Sequence, residues 1–279
     1  MGIQDHGDGR LPSHMTFTEI SYALKDGVAT ITFNRPEHMN AWTLVMQQEL
    51  REAITKASAD KAVRVIVLTG AGNAFSAGAD LNRLRRIAAG EEPPPQPLPK
   101  SDVDFDQRYG YLLGVPKPLI AAINGPAAGV GLCLALYCDL RYMAQRAKLT
   151  TAYARLGFVA EYGVAWLLPR LVGPMNAADL LLSGRKIGAE EAQAMGLVRA
   201  LPDKGFLEAV QARAAEMSAS CSPRSMAVLK RQLWLGQRQT LAQACQQADD
   251  EMALAARCND FCEGVAALIE KRQPVFGGL

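Results

Sequence analysis

The sequence predicts an α/β fold built on a largely parallel sheet, and three observations carry that prediction. Val63–Thr69, Leu119–Ile123 and Leu140–Met143 are short, mostly apolar runs of the kind that form buried strands. Helical patterns separate them, and strands alternating with helices assemble into parallel sheets. From Pro174 onward the pattern is helical almost throughout, which adds a helical region beyond the sheet.

Each element has a local reason. Alternating residues in Tyr22–Leu24 and Val28–Phe33 flank Asp26-Gly27, a pair suited to a tight hairpin turn. Thr43 opens an amphipathic helix whose apolar positions are Leu44, Met46, Leu50, Ala53 and Ile54. The strand over Val63–Thr69 stops at Gly70-Ala71-Gly72, and Leu119–Ile123 runs into Asn124-Gly125-Pro126. Between Gly90 and Lys100 the proline density forbids helix and ladder alike and predicts a mobile surface loop. A short helix of small residues from Val130 to Tyr137 leads into the strand Leu140–Met143. Later helices are expected over Ala189–Met195, Phe206–Ser218, Pro223–Leu235 and Leu241–Glu270. Residues 1–14 read as a leader or expression-derived segment, 15–202 as the α/β core and 203–279 as a C-terminal helical region.

Bulk properties exclude several classes. At 279 residues, 49% hydrophobic and 21% charged, the chain has ordinary globular composition and length for a sizeable core. A net charge of +2 gives no electrostatic reason for nucleic acid or an anionic membrane. No run approaches the roughly 18 apolar residues of a membrane span, and Met1–Thr16 lacks the apolar centre of a signal peptide. Six scattered cysteines without a secretory signal are expected as reduced, mostly buried thiols in a cytoplasmic protein. Cys258 and Cys262 lie one helical turn apart, but the histidines, His6, His14 and His38, are remote in sequence, so no metal site is expected.

Familiar catalytic templates are missing too. The chain has no G-x-S-x-G elbow and no G-x-x-x-x-G-K-[ST] loop, and Gly125, Gly129 and Gly131 do not fit G-x-G-x-x-G. With so few histidines, a Ser-His or Cys-His nucleophile pair is not supported. Two glycine-bearing segments remain, Gly72–Leu81 and Asn124–Leu132, each following a buried strand and preceding a helix. Small residues let a ligand approach the backbone, and two such loops side by side supply one N–H each to a developing oxyanion. Taken singly, either segment is equally a tight, closely packed turn.

Together these segments resemble the enoyl-CoA hydratase/isomerase family, the crotonase superfamily. Ala74-Phe75-Ser76-Ala77-Gly78-Ala79-Asp80-Leu81 is similar to the family's adenine-wrapping loop, and Ala121–Gly131 to its second loop. Asn34-Arg35-Pro36-Glu37 with Asn40-Ala41, Cys138-Asp139, Leu167–Gly173, Ala189–Ala192 with Gly196–Val198, and Lys271–Phe276 agree in order and spacing. The resemblance implies a crotonase fold, a spiral of ββα units with C-terminal helices, assembled as a homotrimer or homohexamer through that helical region. It implies an acyl-CoA substrate, with coenzyme A part of that substrate and no separate cofactor. The backbone N–H groups of Ala79 and Val130 would polarise the thioester carbonyl. Ala41, Ala77, Asp80 and Leu81 would line the coenzyme A path, and Lys271 and Phe276 would reach coenzyme A on a neighbouring subunit.

Departures from the family pattern bear on the chemistry. Val130 stands where the family usually has glycine. The two glutamates of typical hydratases fall on Cys133 and Tyr153, a thiol and a phenol that are poor bases at neutral pH. Glu161, in Ala160-Glu161-Tyr162-Gly163, lies at the turn where some isomerases and dehalogenases of the superfamily place their working carboxylate, so the resemblance implies a substitute there. The alternative is a solvated turn residue or helix N-cap neighbour. Apolar neighbours of Glu161 (Phe158, Val159, Val164 and Trp166) supply the desolvated setting that tunes acids toward proton transfer. The resulting expectation is a thioester-enolate enzyme with Glu161 as acid/base and Tyr153 as hydrogen-bonding assistant. The alternatives are a coenzyme A thioester-binding protein with vestigial catalysis, or a hydrolase or lyase on the same scaffold.

Overall fold

The computed structural model describes residues 17–93, 101 and 103–277, so the 1–14 segment and most of the proline-rich loop lie outside the described residues. β1 (Ile20–Lys25) and β2 (Val28–Phe33) form the antiparallel hairpin. Asp26 at φ 51° and Gly27 at φ 73° take the two left-handed positions that its turn requires. α1 (Leu44–Ala59) follows, capped by the Thr43 hydroxyl accepting the Met46 N–H. Met46, Leu50, Ala53 and Ile54 are buried as expected, but Leu44 is 55% exposed. It lies two residues before Met46, about 200° around the helix, and so faces away from the core.

β3 (Val65–Gly70), α2 (Leu81–Ala88), α3 (Tyr111–Gly114) and β4 (Leu119–Ile123) come next. Then come β5 (Ala127–Ala128), α4 (Val130–Leu136), β6 (Leu140–Ala144) and β7 (Lys148–Thr150). α5 (Val164–Val172), α6 (Pro174–Ser183), β8 (Ile187–Gly188), α7 (Ala189–Ala194) and β9 (Arg199–Leu201) follow. The main sheet has the order β1-β2-β3-β4-β6-β9 and is parallel from β2 onward. β5, β7 and β8 make a smaller sheet. Every residue of β3 and β4 is buried, which accounts for their unbroken apolar runs.

β8 and β9 correct the reading of the chain beyond Pro174 as almost wholly helical. At two and three residues they are too short to leave a periodic signal, and only pairing to β7 and β6 defines them. α8 (Phe206–Ser220) and α9 (Pro223–Leu235) match their predicted positions. Lys230 and Trp234 of α9 both bind the Asp139 carboxylate, at 2.8 Å and 3.2 Å. The segment Leu241–Glu270 forms two helices, α10 (Leu241–Ala255) and α11 (Asn259–Glu270). Cys258 is extended between them, and Asp260 accepts the hydroxyl of Ser222, the α9 cap, at 2.5 Å. Docking on α9 therefore accompanies a break that no glycine or proline announces. Cysteine burial also differs from expectation: Cys133 and Cys138 are buried, whereas Cys245 and Cys262 are exposed. Among the described residues, no helix is long and apolar enough to cross a membrane.

Candidate active site

β3 and β4 lie side by side and parallel, so the loops leaving their C-terminal ends emerge together. Two buried asparagines tie them down. Asn124 exchanges hydrogen bonds with Gly70, donating to its carbonyl at 2.8 Å and accepting its N–H at 3.1 Å. Asn40 donates to the carbonyls of Ala71 and Ala74 and accepts the Arg35 N–H. The loops then pair directly. Phe75 and Ser76 both donate to the Pro126 carbonyl, and Ala128 donates to Ser76 at 3.0 Å. A Cβ on Gly131 would stand 2.5 Å from the Ser76 carbonyl oxygen, so only glycine allows this approach.

Pairing also decides which N–H groups stay free. Trp42 donates to the Gly78 carbonyl at 2.7 Å and accepts from Asp80, which spends the groups on either side of Ala79. Among the described residues the Ala79 N–H itself has no partner, nor does the Val130 N–H at the start of α4. Ala79 is exposed and Val130 is buried, its side chain packed into the core. Asp80 caps α2 by accepting from Asn82 and Arg83, and Arg35 pairs with it at 3.3 Å. Burial pushes its carboxyl up, but those two amides and the guanidinium outweigh burial and hold it below the usual range. Arg35 also donates to the Ala41 carbonyl at 2.7 Å. Ala77 and Leu81 are exposed beside this cluster.

The second half of the site faces α4. Cys133 is fully buried, and burial, then the charge of Glu161, pushes its thiol well above the ordinary value. Tyr153 is buried with its hydroxyl unpartnered, and burial, then Cys133 and Glu161, raises that phenol strongly. Both groups therefore stay protonated at neutral pH, so neither is a base. Glu161 is half-buried in the turn before α5, and its charge acts on Cys133, Tyr153 and Tyr162 alike. Phe158 and Val159 are exposed rather than wrapped around its carboxylate, so the apolar setting read from the sequence is incomplete. The turn carries Tyr162 at φ 51° and Gly163 at φ 77°. A series of edge-to-face ring contacts runs from Phe75 through Phe33, Trp42 and Tyr109 to Tyr162, linking the first loop to this turn.

Comparison with known proteins identifies the family. The sequence model of the enoyl-CoA hydratase/isomerase family matches residues 23–278. The chain belongs to that family. A probable enoyl-CoA hydratase, echA12, of Mycobacterium bovis is 40% identical over 89% of both chains. The 1,2-epoxyphenylacetyl-CoA isomerase of Escherichia coli K12 is 34% identical, covering 91% of this chain and 97% of the relative. The crystal structure of a probable enoyl-CoA hydratase/isomerase from Mycobacterium abscessus superposes with a TM-score of 0.84. It shares 33% identity, covering 94% of this chain and 99% of that one. The fold is that of the crotonase superfamily, and the protein is an enzyme of that superfamily.

Within this enoyl-CoA hydratase/isomerase chain, Ala41, Ala77, Ala79, Asp80, Leu81 and Val130 come together at the loops, and Tyr153 joins Glu161 beneath α4. Lys271 and Phe276 do not join them. The Phe276 carbonyl accepts from Arg64 at 3.0 Å, beside a cavity of about 300 Å³ that Gly27 also lines. Gly27 and Arg64 precede β2 and β3, at the sheet end opposite the loops. Sequence reasoning about the site passed over Arg35, Trp42, Tyr109 and Tyr137. Arg35 stands inside a quoted motif, but nothing in the sequence separates the three aromatics from ordinary core residues.

Proposed function

We propose that this enzyme polarises an acyl-CoA thioester between the Ala79 and Val130 N–H groups and moves a proton on the resulting enolate with Glu161. The observation that carries this reading is the pair of unspent backbone donors on two directly paired loops. Removing one donor of such a pair costs about 3–4 kcal/mol in acyl-transfer enzymes. With Cys133 and Tyr153 held protonated, Glu161 is the group left to take the proton. Abstraction at the α or γ carbon drives the electron pair into the thioester carbonyl. Return of the proton at the other carbon relocates the double bond, so isomerisation is the favoured reaction. A relative named as a trans-2-decenoyl-[acyl-carrier-protein] isomerase, from Streptococcus mutans and 30% identical, supports this class. Hydration follows only if Glu161 also activates water.

Ala41, Ala77, Asp80 and Leu81 would line the adenine and pantetheine through backbone atoms, and coenzyme A arrives with the substrate. Tyr153 serves as a neutral hydrogen-bond donor. Lys271 and Phe276 would contact coenzyme A across subunits of a trimer or hexamer in the cytoplasm. Leu233 on α9 and Leu268 and Ile269 on α11 are exposed apolar side chains available to such an assembly.

The test is incubation with 2-enoyl-, 3-enoyl- and dienoyl-CoA esters in deuterated water, read by mass spectrometry. Deuterium uptake that falls about 10²–10⁴-fold in Glu161→Ala, with ester binding retained, is the expected result. A gain of water would make the enzyme a hydratase. Binding without exchange or product in the parent would favour the vestigial binder, a reading supported by the absence of both usual glutamates.

A further inference from the structure

Glu161 sits in a turn closed by one backbone hydrogen bond of its own, the Val164 N–H donating to the Glu161 carbonyl at 3.0 Å. Tyr162, the next residue, is non-glycine in the left-handed region at φ 51°, a conformation that persists only when surrounding contacts impose it. The turn is also not packed solid. Beside it opens a cavity of about 160 Å³, lined by Tyr137, Gly163 and Trp166 together with Gln107, Gly110 and Leu113. Two of the contacts that hold the turn come from α4, beside the Tyr109 ring and the Arg108 guanidinium that lie against Tyr162. The Tyr137 hydroxyl donates to the Tyr162 carbonyl at 2.7 Å, and the Cys133 thiol, one helical turn earlier, approaches the same oxygen at 4.0 Å. Gly163 completes the fit, since a Cβ there would stand 3.1 Å from the Tyr137 hydroxyl. Burial, then Cys133, pushes the Tyr137 phenol upward, so it remains a donor throughout the neutral range.

We infer that Tyr137 is a positioning residue: its hydrogen bond to the Tyr162 carbonyl fixes the Glu161 carboxylate relative to the Val130 N–H. The same short helix carries both ends of this relation. Val130 opens α4 and Tyr137 caps it, so one rigid element sets the separation between oxyanion donor and proton carrier. Cys133, standing where typical hydratases have a glutamate, adds a weak second contact to the same carbonyl and has no proton-transfer part.

The inference rests on Glu161 being the acid/base, and its test separates the two claims. Tyr137→Phe removes one oxygen and keeps the ring. It should lower kcat about 10- to 100-fold, the scale of a misplaced catalytic group, while KM for the acyl-CoA ester stays within about twofold. In a Glu161→Asp background, which already displaces the carboxylate, the same change should cost far less than it does in the parent. Full kcat in Tyr137→Phe, whatever its melting temperature, would overturn the positioning role. So would a kcat loss that multiplies undiminished with that of Glu161→Asp. If Glu161→Gln keeps parental turnover, the Glu161 reading itself fails, independently of Tyr137.

Discussion

The loops after β3 and β4 and the Glu161 turn form the two halves of the candidate site, held by different kinds of interaction. The loops after β3 and β4 are stitched by backbone hydrogen bonds and two buried asparagine side chains. The Glu161 turn hangs on side chains, with Tyr137 above its carbonyl and the Tyr109 ring against Tyr162 at 5.1 Å. Backbone pairing tolerates many side chains provided that small residues stay where strands touch. A turn held by side chains depends on particular ones. Chemistry can therefore be exchanged at the turn while the loops remain constant, in keeping with a fold that hosts many reactions.

The sharpest way to break this contrast is Gly131→Ala. Its methyl would press on the Ser76 carbonyl and separate the loops. We expect a loss of about 1–3 kcal/mol in chemical denaturation and about 100-fold in turnover. Parental stability would mean that the loops are not rigidly apposed. A smaller effect is expected at Asp80, which anchors the loop side of the site. Its folded pKa is lowered, so its contribution is present above the unfolded value and lost as pH falls through the folded one. Urea midpoints of the parent should therefore drop below about pH 4. Asp80→Asn, which keeps a capping oxygen but loses the charge facing Arg35 and the α2 N-terminus, should be about 1 kcal/mol weaker at pH 7 and show a shallower acid slope. An unchanged slope would remove Asp80 from the account.

The smallest effect belongs to Tyr153→Phe, on the turn side. Deleting an unpaired buried hydroxyl should leave stability unchanged or raise it by about 1 kcal/mol, with turnover within about tenfold of the parent. A much larger loss of turnover would promote Tyr153 from assistant to principal acid.

Legibility in the sequence follows the same division. Leu119–Ile123 is a strand because an unbroken apolar run must be buried on both faces, and its limits were readable to the residue. The glycines and asparagines of the loops announced close backbone approach. Glu161 was readable as a stray carboxylate among apolar residues, but Phe158 and Val159 proved exposed. Tyr137 gave no signal, because a tyrosine that clasps a turn and one that fills a core have the same neighbours in sequence.

By itself the sequence determined the buried strands, the Asp26-Gly27 turn, the Thr43 cap and the two loops, all of which depend on residue type within a few positions. The tertiary structure decided the rest. Pairing to β6 made a strand of Arg199–Leu201, and the Ser222–Asp260 contact accompanies the break between α10 and α11. Pairing of Trp42 left the Ala79 N–H free, and Tyr137 caught the carbonyl beside Glu161. Each of these is a contact between residues distant in the chain, and such contacts carry no local periodicity from which they can be read.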